Sequence, residues 1–250
     1  MQSLVTELEV FLLELVPDLH KFWQGISTER IDELEKVAGR PLPAFYRWFL
    51  SKMGHSMGPI GYLTNDFSSA AVLSYHRDEP LTDDLPWLSI GGATVDDQMA
   101  IDYFYDLKNS PEDDAPVLAQ DFQGAHAYFH ESFREMLAWS VMYRFRVNRA
   151  PQQCGGIVRD ENEDVKAVLG PTMKACGYDE PISTGTHCGI YCRADSALVC
   201  RVSPGDDAVP YLFFQFGGEN ATILRKALGE ITVRSDLEVE VTEWTPALDN

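Results

Sequence analysis

Apolar residues three and four apart open the chain: Val5, Leu8, Phe11, Leu12 and Leu15 alternate with Glu7, Glu9 and Glu14. That spacing predicts an amphipathic helix with its acids in water, ended near Pro17. A second helix is expected from Ser27 as N-cap, with Glu29 in the first turn and Ile31, Leu34 and Val37 or Ala38 inward, closed at Gly39. Pro43 suits the start of a third, whose apolar side is Leu42, Phe45, Phe49 and Leu50 and which ends at Gly54. From about residue 60 the pattern turns to short strands and polar turns. Residues 85–90 lead into Gly91-Gly92, residues 98–103 read as the next strand, and 117–120 with 125–129 form a hairpin turned at Gln123-Gly124. Ser132-Phe133-Arg134-Glu135 matches a capping box and opens a helix through Met136, Leu137 and Val141.

Residues 148–153 read as a linker, dividing the chain into domains at 1–148 and 152–250. Beyond it, Val165, Val168 and Leu169 mark a helix interrupted at Gly170-Pro171. Apolar stretches follow at 188–192, 198–202 and 211–216. A short helix carries Ile223, Leu224, Ala227 and Leu228 up to Gly229, and a last strand sets Leu237, Val239 and Val241 against Glu238, Glu240 and Thr242. The expected class is α+β, a mainly antiparallel sheet flanked by helices, with a second small α+β unit of order α-β-β-β-α-β.

Composition adds constraints. The 250 residues are 45% hydrophobic and 24% charged, as in a globular protein. Acids outnumber bases 39 to 20, and the net charge of −19 repels phosphate backbones and anionic lipid, so basic proteins are the expected partners rather than nucleic acid or membrane. No apolar run is long enough to span a bilayer, and the stretch Leu4–Glu9, with acids among its apolar residues and no basic flank, is not expected to be a signal peptide. Five cysteines suit reduced thiols in a cytoplasm.

The acids are concentrated. Twelve lie between Asp78 and Asp121 against Lys108 alone, a net −11 that equals the charge of the whole first 150 residues. Such a belt would steer a basic partner, although aspartate is also an ordinary turn residue. Asp83, Asp84, Asp96, Asp97, Glu112, Asp113 and Asp114 are the expected contacts, with Trp87 as an aromatic anchor or half-buried core. Neither Asp96-Asp97 nor the 112–114 triplet matches a calcium loop. His126, Tyr128 and His130 would share one strand face, which reads as an exposed face rather than a metal site. His187, Cys188, Cys192 and Cys200 form a Cys/His cluster in strand-like sequence, read as buried thiols, and Cys154 has no adjacent base to activate it. Residues 216–220 form a strand-to-helix turn with Asn220 as N-cap, without a phosphate-loop lysine. No catalytic residue, metal or cofactor is expected.

The first domain resembles the SMI1/KNR4 (SUKH) superfamily. The resemblance rests on Ile31-Asp32-Glu33-Leu34-Glu35, Gly39-Arg40-Pro41-Leu42-Pro43, Tyr46, Phe49-Leu50 and Gly54. It continues at Leu88-Ser89-Ile90-Gly91, Met99-Ala100-Ile101-Asp102, Ser132-Phe133 and Leu137, together spanning about residues 26–140. It departs at His55, where many members have glycine, and at Ala93-Thr94-Val95. The resemblance implies an α+β fold without catalytic residues and a protein-binding role. Bacterial members are commonly immunity proteins that neutralise toxins, often nucleases, and eukaryotic ones include regulators of cell-wall synthesis. A non-enzymatic, cytoplasmic module that occludes a cognate toxin is the expectation. The alternatives are a scaffolding protein with an endogenous partner, or a small-molecule-binding C-terminal domain.

Overall fold

The computed structural model describes residues 2–62, 64–82, 86–94, 101–109, 113–120, 124, 126–160, 164–202 and 211–248. Two compact units divide the chain, Met1–Met136 and Leu137–Asn250. Each is built around an antiparallel five-stranded sheet with helices beside it, so the α+β class expected from the sequence is the one observed. The division falls within helix α5 (Phe133–Met142), ahead of the 148–153 stretch read as a linker; that stretch instead leads directly into a strand.

The first unit contains α1 (Gln2–Leu15), α2 (Thr28–Ala38), α3 (Ala44–Met53) and α4 (Ser69–Asp78). Its strands are β1 (Asn65–Asp66), β2 (Leu88–Ala93), β3 (Asp102–Tyr105), β4 (Val117–Gln120) and β5 (His126–His130), paired in sequence order. Gly39 takes φ +66° and ends α2, its N–H donating to Lys36 O. The corner into α3 is held by Glu35, whose carboxylate accepts the Leu42 N–H at 2.9 Å and pairs with Arg47. Burial pushes the Glu35 carboxyl up, but the Arg47 and Leu42 donors outweigh it and hold it below its ordinary value.

Helix α4 is a correction to the expected run of strands. Ser68 Oγ accepts the Ala71 N–H at 3.2 Å as an N-cap, and Val72, Leu73 and His76 form the buried side. Phe133 centres the aromatic core. Its ring lies 4.8 Å from Phe49, 5.8 Å from Tyr46, 5.9 Å from both Tyr105 and Phe67, and 6.1 Å from Phe45. Four of these contacts are edge-to-face, an arrangement in which the positive edge of one ring meets the negative face of the next.

The second unit follows α5 with a π-turn (Tyr143–Val147), β6 (Gln152–Arg159) and α6 (Val165–Ala175). Then come β7 (Cys188–Arg193), β8 (Ser196–Arg201), β9 (Tyr211–Gly218), α7 (Ala221–Arg234) and β10 (Glu238–Thr245). The sheet order is β10-β6-β9-β8-β7. Strand β6 is thus an interior strand that starts within the expected linker and runs on to Arg159, where no strand was expected. Two features disguised it: opening glutamines and Gly155-Gly156. Those glycines are required by close approach, since a Cβ on Gly156 would lie 2.0 Å from the Glu240 carbonyl oxygen.

Two helices also run past their expected stops. Pro171 lies inside α6, which continues because Val165, Leu169, Thr172 and Met173 hold its buried face in the core. Helix α7 passes through Gly229, which is exposed and has nothing near its Cβ position. In β10 the register slips between Val241 and Glu243, so the inward positions run Val239, Val241, Trp244 and the acids stay outside. No helix among the described residues is long and apolar enough to cross a membrane.

These glycines predict opposite effects. Gly229→Ala should stabilise the second unit by about 0.5–1 kcal/mol, because a mid-helix glycine carries excess unfolded-state entropy. Gly156→Ala should cost about 1–3 kcal/mol by driving a methyl into the β10 backbone. Urea unfolding midpoints of the two variants against the parent chain check both signs.

Candidate functional site

The pleat of the first sheet sorts its side chains. Ser89 pairs with Phe104, Asp102 with Gln120, and Gln120 with His126, so Phe104, Gln120 and His126 share one face. Trp87, two residues before Ser89, falls on that face as well. Beside it, α4 and its exit supply Tyr75, His76 and Glu79. Together with Pro80 and Leu81 these residues line a recess of about 250 Å³.

The walls of the recess are aromatic. Trp87 lies 4.4 Å from His126 between ring centroids, Phe104 lies 5.1 Å from His126, and Tyr75 lies 6.0 Å edge-to-face from Phe104. Trp87 is half-buried and Glu79 is exposed. His76 is the structural pin. Its Nε2 accepts the Ser89 N–H at 3.0 Å, so the ring proton is on Nδ1 and is donated to Glu79 O, also at 3.0 Å. Burial holds its pKa below the ordinary imidazole value, which keeps the ring neutral and fixes α4 to β2. The Tyr75 hydroxyl is raised by burial and then by the negative charges of Glu79 and Asp102. Tyr75, His76 and Glu79 were missed in the sequence because α4 was missed. The Ser68 cap followed by Ala70-Ala71-Val72-Leu73 was the available signal.

The acidic belt resolves into distinct roles. Asp83, Asp84, Asp96, Asp97, Glu112 and Asp121 lie outside the described residues. Of the others, Asp78, Glu79 and Asp113 are exposed. Asp102 accepts the Ala93 N–H at 2.6 Å, tying β3 to β2. Asp106 is buried and builds its turn, accepting the N–H groups of Lys108 and Asn109 at 3.1 Å each and the Tyr128 hydroxyl at 2.8 Å. Burial raises its pKa, yet these donors outweigh burial and hold the carboxyl below its usual range.

Asp114 is the most constrained of the expected contacts. Its carboxylate accepts the Tyr105 hydroxyl, the Ala115 N–H at 2.8 Å and the Arg134 N–H at 3.1 Å at the start of α5. One residue earlier, the Asp113 carbonyl accepts the Phe45 N–H at 2.8 Å in the first turn of α3. The turn therefore joins two helix N-termini to β3. Desolvation dominates the Asp114 carboxyl and raises it to about 6 despite these donors.

The histidine pair expected on one face is separated by a bulge. Tyr128 pairs with Leu118 and His130 with Val117, leaving Phe129 as the extra residue. His126 and Tyr128 face outward while His130 turns in, its Nδ1 3.4 Å from Glu135 Oε1. The capping box forms in part, with the Glu135 N–H donating to Ser132 Oγ at 3.1 Å.

In the second unit, Cys188 and Cys192 sit at opposite ends of β7, roughly 13 Å apart along an extended strand. Cys200 is on β8 opposite Gly189. No disulfide joins the cysteines. Burial pushes the thiols of Cys154 and Cys200 to about 12 and raises Cys176, which keeps all three protonated at neutral pH. Lys166 Nζ donates to Glu180 Oε1 at 3.0 Å and Thr184 Oγ1 at 2.9 Å, and lies 5.0 Å from the Tyr191 ring centre. Among the described residues, the buried Tyr191 hydroxyl has no hydrogen-bond partner. Asn220 caps α7 as expected, accepting the Ile223 N–H at 3.0 Å.

Asp114 generates a pH test. Its folded pKa of about 6 lies above the ordinary 3.8, so the native state holds a proton that the unfolded state has released between those values. Its contribution is full below about pH 4 and is lost as pH rises through 6, a swing of about 3 kcal/mol. Asp114→Asn removes this slope. In urea unfolding, the variant should gain stability relative to the parent chain between pH 4 and 7, and a pH-independent difference would sink the assignment. Compared with protein-family models, with curated proteins and with solved structures, the chain finds no match.

Proposed function

We propose that the first unit is a non-enzymatic binding module that neutralises a basic protein partner by covering its working surface. The observation that carries this reading is the aromatic recess lined by the half-buried Trp87 and the exposed Glu79. Large aromatic surfaces beside a polar rim are where short-range binding energy concentrates. Exposed Asp78, Glu79 and Asp113, on a chain of net charge −19, supply long-range attraction for a positively charged surface. A nuclease toxin of the producing cell's own cytoplasm fits this chemistry, since enzymes that hold phosphate backbones expose lysine and arginine. The resemblance of residues 26–140 to SUKH proteins points the same way. Asp114 and Asp106 are not part of this contact set, because their carboxylates serve the fold.

Co-expression with the products of the genes flanking its own tests the reading. One of them should arrest growth alone and be rescued by this chain, with the two co-purifying. In the purified pair, the triple variant D78N/E79Q/D113N should lower the association rate roughly tenfold at low salt and change dissociation less. Absence of any toxic or co-purifying neighbour would count against the proposal, as would an association rate indifferent to salt.

A further inference from the structure

Resting on that reading, we infer that the Trp87 recess is a socket for an arginine side chain of the bound protein. The recess combines three properties that together select a planar cation. Its walls are aromatic: Trp87, Tyr75 and Phe104 are among the residues lining a volume of about 250 Å³. Cations are attracted to aromatic rings by the ring quadrupole, with tryptophan the strongest. Its lining carries one acid, the exposed Glu79. It also holds an acceptor in the wall. Gln120 donates through Nε2 to Gly124 O at 3.5 Å, which leaves its amide oxygen as the accepting atom.

An anionic ligand is disfavoured by Glu79, and an aliphatic side chain would leave that exposed carboxylate unanswered. Between the two basic side chains, arginine fits better. The guanidinium is planar and weakly hydrated, stacks on aromatic faces and offers several donors at once to Glu79 and Gln120, whereas an ammonium gives up a tighter hydration shell for one point contact. The neutral His76 bridge and the tilted Trp87–His126 ring contact hold the walls in place before the ligand arrives. This preorganisation lowers the cost of binding.

The test uses the full chain labelled with ¹⁵N and follows its five tryptophan indole N–H signals, with Trp87 assigned through W87F. The probes are three short peptides, Gly-X-Gly with blocked ends, where X is arginine, lysine or citrulline, the uncharged isostere of arginine. The arginine peptide should shift the Trp87 indole saturably in roughly the millimolar range, as expected for one exposed cation–π site. Lysine should bind about threefold more weakly and citrulline about tenfold more weakly. Glu79→Gln, at an exposed position, should weaken the arginine peptide severalfold and leave citrulline unchanged. Equal binding of arginine and citrulline overturns the inference, as does an arginine response at some other indole or none at Trp87. Failure here with successful rescue in co-expression discards the socket and keeps the binding module; the reverse result keeps the socket and discards the module.

Discussion

A single half-covered carboxylate organises the first unit. Asp114 meets the hydroxyl of Tyr105 from β3 and the N–H groups that open α5, while the neighbouring Asp113 carbonyl receives the first turn of α3. A helix N-terminus presents N–H groups that its own turn cannot satisfy, and an acid placed there answers both those donors and the dipole. Removing the same group from water costs enough to raise it to about 6. The aromatic cluster around Phe133 lies directly beside this turn, at the residue where α5 begins. Position and packing are thus set together: the turn fixes where α5 starts, and that start places Phe133 among Phe49, Tyr46 and Tyr105.

The belt of acids, uniform in sequence, is divided by environment. Asp106 and Asp114 are satisfied by several donors each, and Asp102 fastens two strands, whereas Asp78, Glu79 and Asp113 keep their carboxylates in water. Only the solvated group can act at a distance, since a carboxylate already surrounded by donors offers no lone pair to a partner and is shielded from it. The recess at Trp87 gains meaning from the same division. Its polar border is an exposed acid, and its interior is a set of rings held by a neutral histidine.

The second unit shows how an unpromising stretch becomes the middle of a sheet. Gln152 through Arg159 has no aromatic residue and only Ile157 and Val158 as branched ones, yet β9 pairs along it on one side and β10 on the other. Backbone hydrogen bonds and the absence of side chains at Gly155 and Gly156 let the neighbours close in. Across the sheet, α6 and α7 bury Leu169, Met173, Leu224 and Ile231 in the core. That burial is strong enough to carry α6 through Pro171.

Local pattern alone was sufficient for much of this protein. The 3.6-residue spacing of α1 through α3, the Ser132 and Asn220 caps, the Gly39 stop and the alternation in β10 are short-range effects, written in residues at most a few positions apart. The run of acids between Asp78 and Asp121 is visible in the sequence, but not the separate role each one takes. What needed the folded chain were features whose cause lies far along the sequence. Helix α4 acquires its packing from β2, and β6 exists because two distant strands flank it. The bulge at Phe129 turns His130 inward, and the loads on Asp106 and Asp114 come from Tyr128, Tyr105 and Arg134. A carboxylate's role depends on which donors surround it and how much water remains, and neither quantity is a property of the residues next to it in the chain.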